Sequence, residues 1–520
     1  MWAVRGAVTV QANERETILA RAEELTRALL RENDLTTERV VAGFYTATSD
    51  LNAAYPAEGG RRAGLTQSAL LSAQEVAVPG GLPRCLRVLL LVEGDPPARG
   101  IQPVYLGEAQ CLRPDWTMPD SRATASPEGP KPRPGVTRIA PYVPGKPIEE
   151  VQRELGLTDV IKLASNENPF GPSPLAQAAI RQAADQVHLY PDGNAYRLRQ
   201  ALADHLQREL EAQRSSPASD AVDGSDGKSS SSAPVVPAQI MVSNGSDEMI
   251  KMLAETFVNP GDRVVYGTPS FSEYEFACRV AAGEPVAVPL RDFHFDLEAV
   301  AQAAAQPRTR LVYICNPNNP TGTLTPRAEL ERLLARLRPE TILILDEAYH
   351  EFVDDPQYSP GLMWAVEGRP VFVLRTFSKI YGLAGIRLGY AVGPADLVRW
   401  VMRVREPFNV NSLAQVAGLA ALKDQEHVRV SRELVLTERR RLAQELSRRG
   451  LMVVPSQANF VYVDIGRPCR PVFEALLREG VIVRTGDIFG NETFLRVSIG
   501  LPEQNDRFLS ALDRILAAKE

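Results

Sequence analysis

The chain has 520 residues, 44% of them hydrophobic and 23% charged, with a formal net charge of −6. This is the composition of a soluble globular protein too long for one core, and length alone suggests about three domains. The acidic balance argues against broad binding to nucleic acid or anionic membrane, while leaving room for local basic pockets that take anionic metabolites. Five cysteines, at 85, 111, 278, 315 and 469, are scattered without a CxxC pair, and histidines are few, so no metal site is expected. "CLRVLLLV", the most apolar run, is far too short to cross a bilayer, and "MWAVRGAVTV" carries an arginine inside its apolar stretch, unlike a signal peptide. These features predict a reduced, cytoplasmic enzyme.

Residues 4–10 alternate like a strand. "NERETILARAEELTRALLREND" then sets Ile18, Leu19, Ala22, Leu25, Leu29 and Leu30 on one helical face, with charges opposite. "RVVAGFYTAT", "CLRVLLLVEG" and "GIQPVYLGEAQCLRP" read as further strands, so residues 1–116 form a compact α/β unit of ordinary domain size. "DWTMPDSRATASPEGPKPRPG", Asp115–Gly135, holds five prolines and little that is apolar; residues 117–136 read as a semi-extended linker. A longer unit follows over 137–520. In "QIMVSNGSDEMIKMLAETF", "DRVVYGTPSFSEYEFACRVAAG", "RLVYICNPNNPTG" and "ILILDEAYHEF" a short strand runs into a polar turn, the pattern of a mainly parallel sheet covered by helices. Residues 213–237 are a low-complexity Ser/Asp/Gly-rich insertion. From about 411 to the end, a charged helical stretch and the strand-like "NFVYVDI" and "TFLRVSIG" indicate a smaller α+β domain.

The chemistry of the longer unit concentrates where its strands end. "PVFVLRTF" runs into Ser378 and Lys379, and a lysine drawn into an interior is costly unless its amine is used, as in Schiff-base catalysis. Thr376, Ser378 and Arg387 suit a phosphate. Asp346 closes a fully apolar strand, where it is placed to hold a pyridine nitrogen protonated, with Tyr349 in reach of a ring oxygen. Asn319 lies in a Pro-bounded turn; Gly245, Ser246 and Asp247 open a helix suited to an anion; Phe271 can stack on a flat ring. Each motif alone fits an ordinary turn or cap, but their joint order does not.

From about Thr137 onward the chain closely resembles the fold-type I aminotransferases that use pyridoxal phosphate, above all their histidinol-phosphate branch. The motifs "IKLASNENPFGPSP", "LYPDGNAYRLRQAL", "NGSDEMI", "ICNPNNPTGT", "LDEAYHEF", "RTFSKIYGLAGIRLGY", "REPFNVN" and "LRVSIG" carry the resemblance. It implies a large α/β domain with a mainly parallel sheet and a small C-terminal α+β domain. It also implies that Lys379 carries the cofactor and acts as general acid/base, while Asp346 meets the pyridine nitrogen and Asn319 and Tyr349 hold the ring oxygen. Ser246, Asp247, Thr376, Ser378 and Arg387 would form the phosphate cup. Tyr190 would reach the cofactor of a neighbouring subunit, and Arg496 and Arg484 would bind the anionic group of the substrate.

The N-terminal unit has no nucleophile set, metal cluster or phosphate loop. Its oddity is arginines inside strand patterns: Arg5 in "AVRGAVTV", Arg87 in "CLRVLLLV" and Arg113 after "EAQCL". Singly, each fits the solvent face of an alternating strand. Together with "VRGAVTV", "ATSDLNAAYPAEGGR", "AQEVAVPGGLPRCLRVLLLV" and "VYLGEAQCLRPD", residues 1–116 resemble the small trimeric, pseudo-barrel type of chorismate mutase. That unimolecular rearrangement of chorismate to prephenate needs fixed donors rather than a nucleophile. The resemblance implies Arg87 at the breaking ether bond, Glu75 and Ser72 at the ring, Arg5 and Tyr105 on carboxylate, and Tyr55, Arg61 and Arg113 lining the pocket. Ser72, Tyr55 and Glu58 stand where the family usually has Cys, Phe and Lys.

The expected protein is a bifunctional enzyme of amino-acid biosynthesis, joining chorismate mutase to a transaminase. Its amino-acid and 2-oxo-acid pair would be aromatic acids or prephenate, or histidinol phosphate with 2-oxoglutarate. An alternative is a histidinol-phosphate aminotransferase carrying a non-catalytic, mutase-like sensor. A dimer through the transaminase and a trimer through the mutase would together require a hexamer or larger.

Overall fold

In the computed structural model, residues 1–76, 78, 81–97, 100–113, 132, 133, 135–139, 145–214 and 234–517 are described. Most of the Pro-rich linker and most of the 213–237 insertion lie outside them. The chain divides into two compact units, Met1–Lys131 and Pro132–Glu520. No helix among the described residues is long and apolar enough to cross a membrane.

The first unit runs β1 (Trp2–Thr9), α1 (Arg15–Glu32), β2 (Val40–Ala47), α2 (Ala57–Arg62), β3 (Ala69–Gln74), β4 (Cys85–Val92) and β5 (Val104–Leu106). These make one five-stranded mixed sheet in the order β3-β2-β4-β1-β5. The predicted helical face is what packs: Ile18, Leu19, Ala22, Leu25, Leu29 and Leu30 of α1 are all buried. Ile18, Ala22, Leu25 and Leu29 join Val4 and Val8 of β1 and Val88 and Leu90 of β4 in one cluster. Side chains alternate across a pleat, so β4 turns Arg87 and Leu89 to the face that α1 leaves uncovered.

One expectation fails here. Among its described residues, "GIQPVYLGEAQCLRP" is a strand only at 104–106, and Gly107–Leu112 is a 3-10 helix. Gly107 adopts a left-handed φ of 63°, and the Glu108 amide donates to Thr9 Oγ1 at 3.0 Å, which turns the chain off the sheet edge.

The second unit opens with α3 (Ile148–Leu155), β6 (Ile161–Lys162), α4 (Pro174–Ala183) and α5 (Tyr196–Arg214). The alternating core follows: β7 (Ile240–Ser243), α6 (Gly245–Phe257), β8 (Arg263–Thr268), α7 (Glu273–Val280), β9 (Glu284–Pro289), α8 (Leu297–Ala304), β10 (Thr309–Cys315), α9 (Arg327–Arg336), β11 (Ile342–Asp346), α10 (Leu362–Val366), β12 (Val371–Thr376), β13 (Gly389–Val392) and α11 (Ala395–Val401). It closes with α12 (Ser412–Ala421), α13 (Gln425–Arg448), β14 (Met452–Val454), β15 (Phe460–Asp464), α14 (Cys469–Arg478), β16 (Val481–Ile482), β17 (Arg484–Thr485), β18 (Phe494–Ser498) and α15 (Pro502–Ala517).

Seven strands form the main sheet, ordered β7-β13-β12-β11-β10-β8-β9. The pairs from β12 through β9 are parallel, and β13 alone runs against both its neighbours. Every residue of β11 and β12 is buried, as a sheet covered on both faces requires. Helix starts are set by side-chain caps: Ser173, Asp296, Asn411 and Asp424 accept amides of the first turns of α4, α8, α12 and α13. A smaller antiparallel sheet, β14-β15-β18-β17, brings Arg496 opposite Arg484.

Candidate active sites

In the second unit the carboxyl ends of five strands converge, the usual place for a ligand in an α/β sheet. β7 leads into Ser246 and Asp247, β8 toward Phe271, β10 toward Asn319, β11 ends on Asp346 before Tyr349, and β12 ends on Thr376 before Ser378 and Lys379. These residues, with Arg387, Arg484 and Arg496, line one cavity of about 270 Å³. Tyr190 lies outside it, exposed and stacked on Phe408 at 4.7 Å between ring centroids.

Lys379 is half-buried and donates from Nζ to the Ser165 carbonyl at 3.1 Å, with no ion pair among the described residues. Burial, reinforced by Arg496, lowers its amine to about 8. Asp346 is buried at the end of β11, and burial raises its carboxyl to about 6. Tyr274 opposes that rise: its hydroxyl donates to Asp346 Oδ2 at 2.7 Å, and the Ala348 amide donates to Oδ1 at 3.2 Å. Tyr274 stands edge-on to Phe271, with centroids 5.8 Å apart, so one side chain braces both groups. The Tyr349 hydroxyl accepts from Asn166 Nδ2 at 3.1 Å, and burial pushes its ionisation well up. Arg496 donates to Asn319 Oδ1 and to the Ala164 carbonyl, both at 2.6 Å.

At the start of α6, Gly245 has a φ of 81°, and a Cβ built there would lie 2.5 Å from Arg387 Nη2. Only glycine lets that guanidinium lie across the helix start, where first-turn amides lack intrahelical acceptors. Arg387 also donates to Asp247 Oδ2 at 3.0 Å, and the Ser378 amide donates to Thr376 Oγ1 at 3.0 Å. A cation, hydroxyls and amides around a cradle that a side chain would fill, beside a half-buried lysine and a buried strand-end carboxylate, fit pyridoxal phosphate.

Sequence reasoning passed over several residues of this site. Ser165, Asn166, Glu167 and Cys315 line the same cavity. The one signal for the first three was "SNEN", a polar cluster shortly after the short strand β6. Tyr274 had none, because its role depends on a partner 72 residues away.

In the first unit, Arg87 is ion-paired to Glu75, which also accepts from Thr46 Oγ1 at 2.6 Å. Residues directly paired across strands point to the same face, and Ala7 pairs with both Arg87 and Tyr105. Arg5, two residues from Ala7, shares that face, so Arg5, Arg87 and Tyr105 lie together on the side α1 leaves open. Ser72 pairs with the buried Tyr45 and is on the opposite face, where its Oγ accepts the Ala57 amide at 3.0 Å. Tyr55 is 78% exposed and Arg61 lies on α2, exposed. Arg113 follows the 3-10 helix, half-buried. Glu58 is held by Arg15, whose Nη2 donates to both its oxygens at 2.7 and 2.8 Å.

Residues 158–512 match the family model of aminotransferase class I and II, and residues 1–116 match that of chorismate mutase type I. Among curated relatives, a histidinol-phosphate aminotransferase of Moorella thermoacetica is 52% identical over 389 residues, covering 75% of this chain and 94% of the relative. One from an Anaeromyxobacter species is 48% identical, covering 74% of this chain and 99% of the relative. The crystal structure of histidinol-phosphate aminotransferase from Sinorhizobium meliloti in complex with pyridoxal 5'-phosphate superposes with a TM-score of 0.64 at 28% identity, over 74% of this chain and 96% of that one. The chain therefore belongs to the class I and II aminotransferases, which work with pyridoxal phosphate, and carries a chorismate mutase type I domain at its N-terminus.

Proposed function

We propose that the protein is a bifunctional cytoplasmic enzyme that transaminates histidinol phosphate with 2-oxoglutarate in its second unit and rearranges chorismate to prephenate in its first. The observation that carries the transaminase is the single cavity in which Lys379, Asp346, Arg387, Arg484 and Arg496 meet. The choice of histidinol phosphate is supported by relatives of that name matching along 94% and 99% of their own length.

Pyridoxal phosphate, when bound, supplies an electron-withdrawing ring that stabilises negative charge at the substrate's α-carbon. Asp346 would hold the proton on its ring nitrogen, and Asn319 and Tyr349 its ring oxygen. Phe271 would cover one ring face, and Ser246, Asp247, Thr376, Ser378 and Arg387 would hold the phosphate. Lys379, at about 8, gives up and takes back a proton near neutral pH, as general acid/base catalysis at the α-carbon demands. Arg496, fixed by Asn319 and Ala164, and Arg484 beside it on β17 would bind the substrate's phosphate or carboxylate.

In the first unit, Arg87 braced by Glu75 would meet the ether oxygen as negative charge grows there, and Arg5 and Tyr105 would bind carboxylate. Arg5, Arg87 and Tyr105 share one face while Ser72 lies on the other, which supports a pseudo-barrel trimer whose pockets draw Ser72, Tyr55, Arg61 and Arg113 from a neighbour. The exposed Val187, Leu189, Tyr190 and Tyr196 support a dimer through the second unit. Arg15 neutralises Glu58, the position where the family usually has lysine.

A second reading adds prephenate or phenylpyruvate-type acids as amine acceptors, favoured by the mutase on the same chain. Half-reactions of the loaded enzyme with histidinol phosphate, tyrosine, phenylalanine and arogenate, followed by absorbance, separate the two. We expect histidinol phosphate to react at least about tenfold faster than the others, and no reaction with it overturns the first reading. For the mutase, Arg87→Ala should lower kcat/KM for chorismate at least about a hundredfold, the scale of one lost transition-state donor. Unchanged turnover would remove the assignment.

A further inference from the structure

Three consecutive residues between β6 and α4 each hold a different side chain of the cavity. The Ala164 carbonyl accepts from Arg496, the Ser165 carbonyl accepts from Lys379 Nζ, and Asn166 Nδ2 donates to the Tyr349 hydroxyl at 3.1 Å. The first two contacts use the backbone, which any residue could supply. The third depends on the side chain. Asn166 is 1% exposed and has a left-handed φ of 56°, a conformation that asparagine tolerates better than most residues.

Two further contacts decide which way its amide faces. The Asn166 backbone N–H donates to Ser498 Oγ at 2.8 Å, and the Ser498 hydroxyl donates to Asn166 Oδ1, also at 2.8 Å. Turning the amide over would aim Nδ2 at the Ser498 oxygen. The buried Ser498 hydrogen would then have no acceptor among the described residues. With Oδ1 fixed on Ser498, Nδ2 faces Tyr349. The Tyr349 oxygen accepts on that side, so its own hydrogen points elsewhere, and no described residue takes it. Tyr349 lines the cavity, where an oxygen of the cofactor would be the acceptor.

We infer that Asn166 is a positioning residue that aims the Tyr349 O–H at the cofactor's ring oxygen, with its own amide held for this by Ser498. The inference rests on the reading that Tyr349 meets that oxygen. A bond donated to Tyr349 also makes its O–H a stronger donor, because linked hydrogen bonds polarise one another. Both effects favour negative charge on the ring oxygen. Removing Asn166 should therefore let the bound cofactor keep its proton to higher pH.

That proton is read from the absorbance of the cofactor-loaded full chain, titrated against pH without substrate. Tyr349→Phe should raise the midpoint by about one pH unit. Asn166→Gly keeps the left-handed backbone and its amide contact to Ser498, and should raise the midpoint by about half a unit. Ser498→Ala frees the amide to turn over and take the Tyr349 hydrogen, so it should shift the midpoint in the same direction. In the Tyr349→Phe protein, Asn166→Gly should add nothing further, a dependence that lost packing alone would not produce. If Tyr349→Phe leaves the midpoint in place, the ring-oxygen reading fails and the inference with it. If Tyr349→Phe shifts it but either Asn166→Gly or Ser498→Ala matches the parent, the inference alone is overturned. An Asn166→Gly shift that persists in the Tyr349→Phe protein overturns it equally.

Discussion

Lys379 is half-buried and makes no ion pair among the described residues, and that sets how the cofactor-free protein should behave. Only the neutral amine attacks a carbonyl, and with the amine at about 8 the neutral fraction is roughly a tenth at pH 7 and about nine-tenths at pH 9. Capture of pyridoxal phosphate, followed by absorbance after rapid mixing, should therefore speed up about fivefold between pH 7 and 8 and level off above pH 9. A rate still climbing at pH 10 would mean an ordinary, solvated lysine. Tyr274 tunes the other buried charge. Tyr274→Phe keeps the ring stacked on Tyr313 but loses the hydrogen bond that holds Asp346 ionised, so the Asp346 carboxyl rises further above about 6. Because the protonated acid cannot pair with a pyridinium, the acid limb of cofactor retention should move to higher pH. Affinity at pH 7 should fall about tenfold, the scale of one hydrogen bond to a charged group. A fluorescence titration of the cofactor-free variant that matches the parent in both affinity and pH profile would remove Tyr274 from the site.

Arg375 shows how the elements beneath the site are tied. It is fully buried on β12 and donates to Glu209 of α5 and to Glu347, the residue after Asp346. The network joins one helix to the two strands whose ends carry Asp346 and Lys379. Arg375→Met strands two carboxylates in the interior, at a cost of about 3–5 kcal/mol. The urea midpoint of the second unit should fall accordingly and recover in part when Glu209→Gln is added; a midpoint within error of the parent would contradict the network. Arg375 also marks what the sequence can disclose. The strand around it is legible from its apolar run, but its partner lies 166 residues away and leaves no local trace. The cavity residues Asp346, Lys379 and Ser246 were legible because each lies at the end of an apolar strand or within three residues of it. Asn166 and Tyr274 act through contacts between distant segments and were not. In the first unit, β1 and α1 announce themselves by period. β3 does not: "ALLSAQ" is an edge strand with few buried side chains, specified by its pairing with β2 rather than by its own pattern.

The first unit by itself leaves its own chemistry divided. Arg5, Arg87 and Tyr105 share the open face of the sheet, and Phe44, Leu71 and Leu89 on that same face are 40%, 56% and 38% exposed. A monomer would leave this apolar surface in water, while a trimer would bury it and bring Ser72, Tyr55 and Arg61 of one chain toward Arg87 of the next. Three-fold closure through this unit and two-fold closure through the second are compatible in one finite particle only if at least six chains assemble. The parent should accordingly sediment as six chains of 57.0 kDa. Leu71→Asp puts a charge on this open face without touching the α1 core, so each chain should still fold. The variant should sediment as a dimer, lose chorismate turnover at least about a hundredfold, and keep its transaminase kcat, because the second unit's cavity is built entirely from its own residues. Retained mutase activity in the dimeric variant would show that one chain completes the pocket alone. A parent that is already dimeric and fully active on chorismate would rule out the trimer altogether.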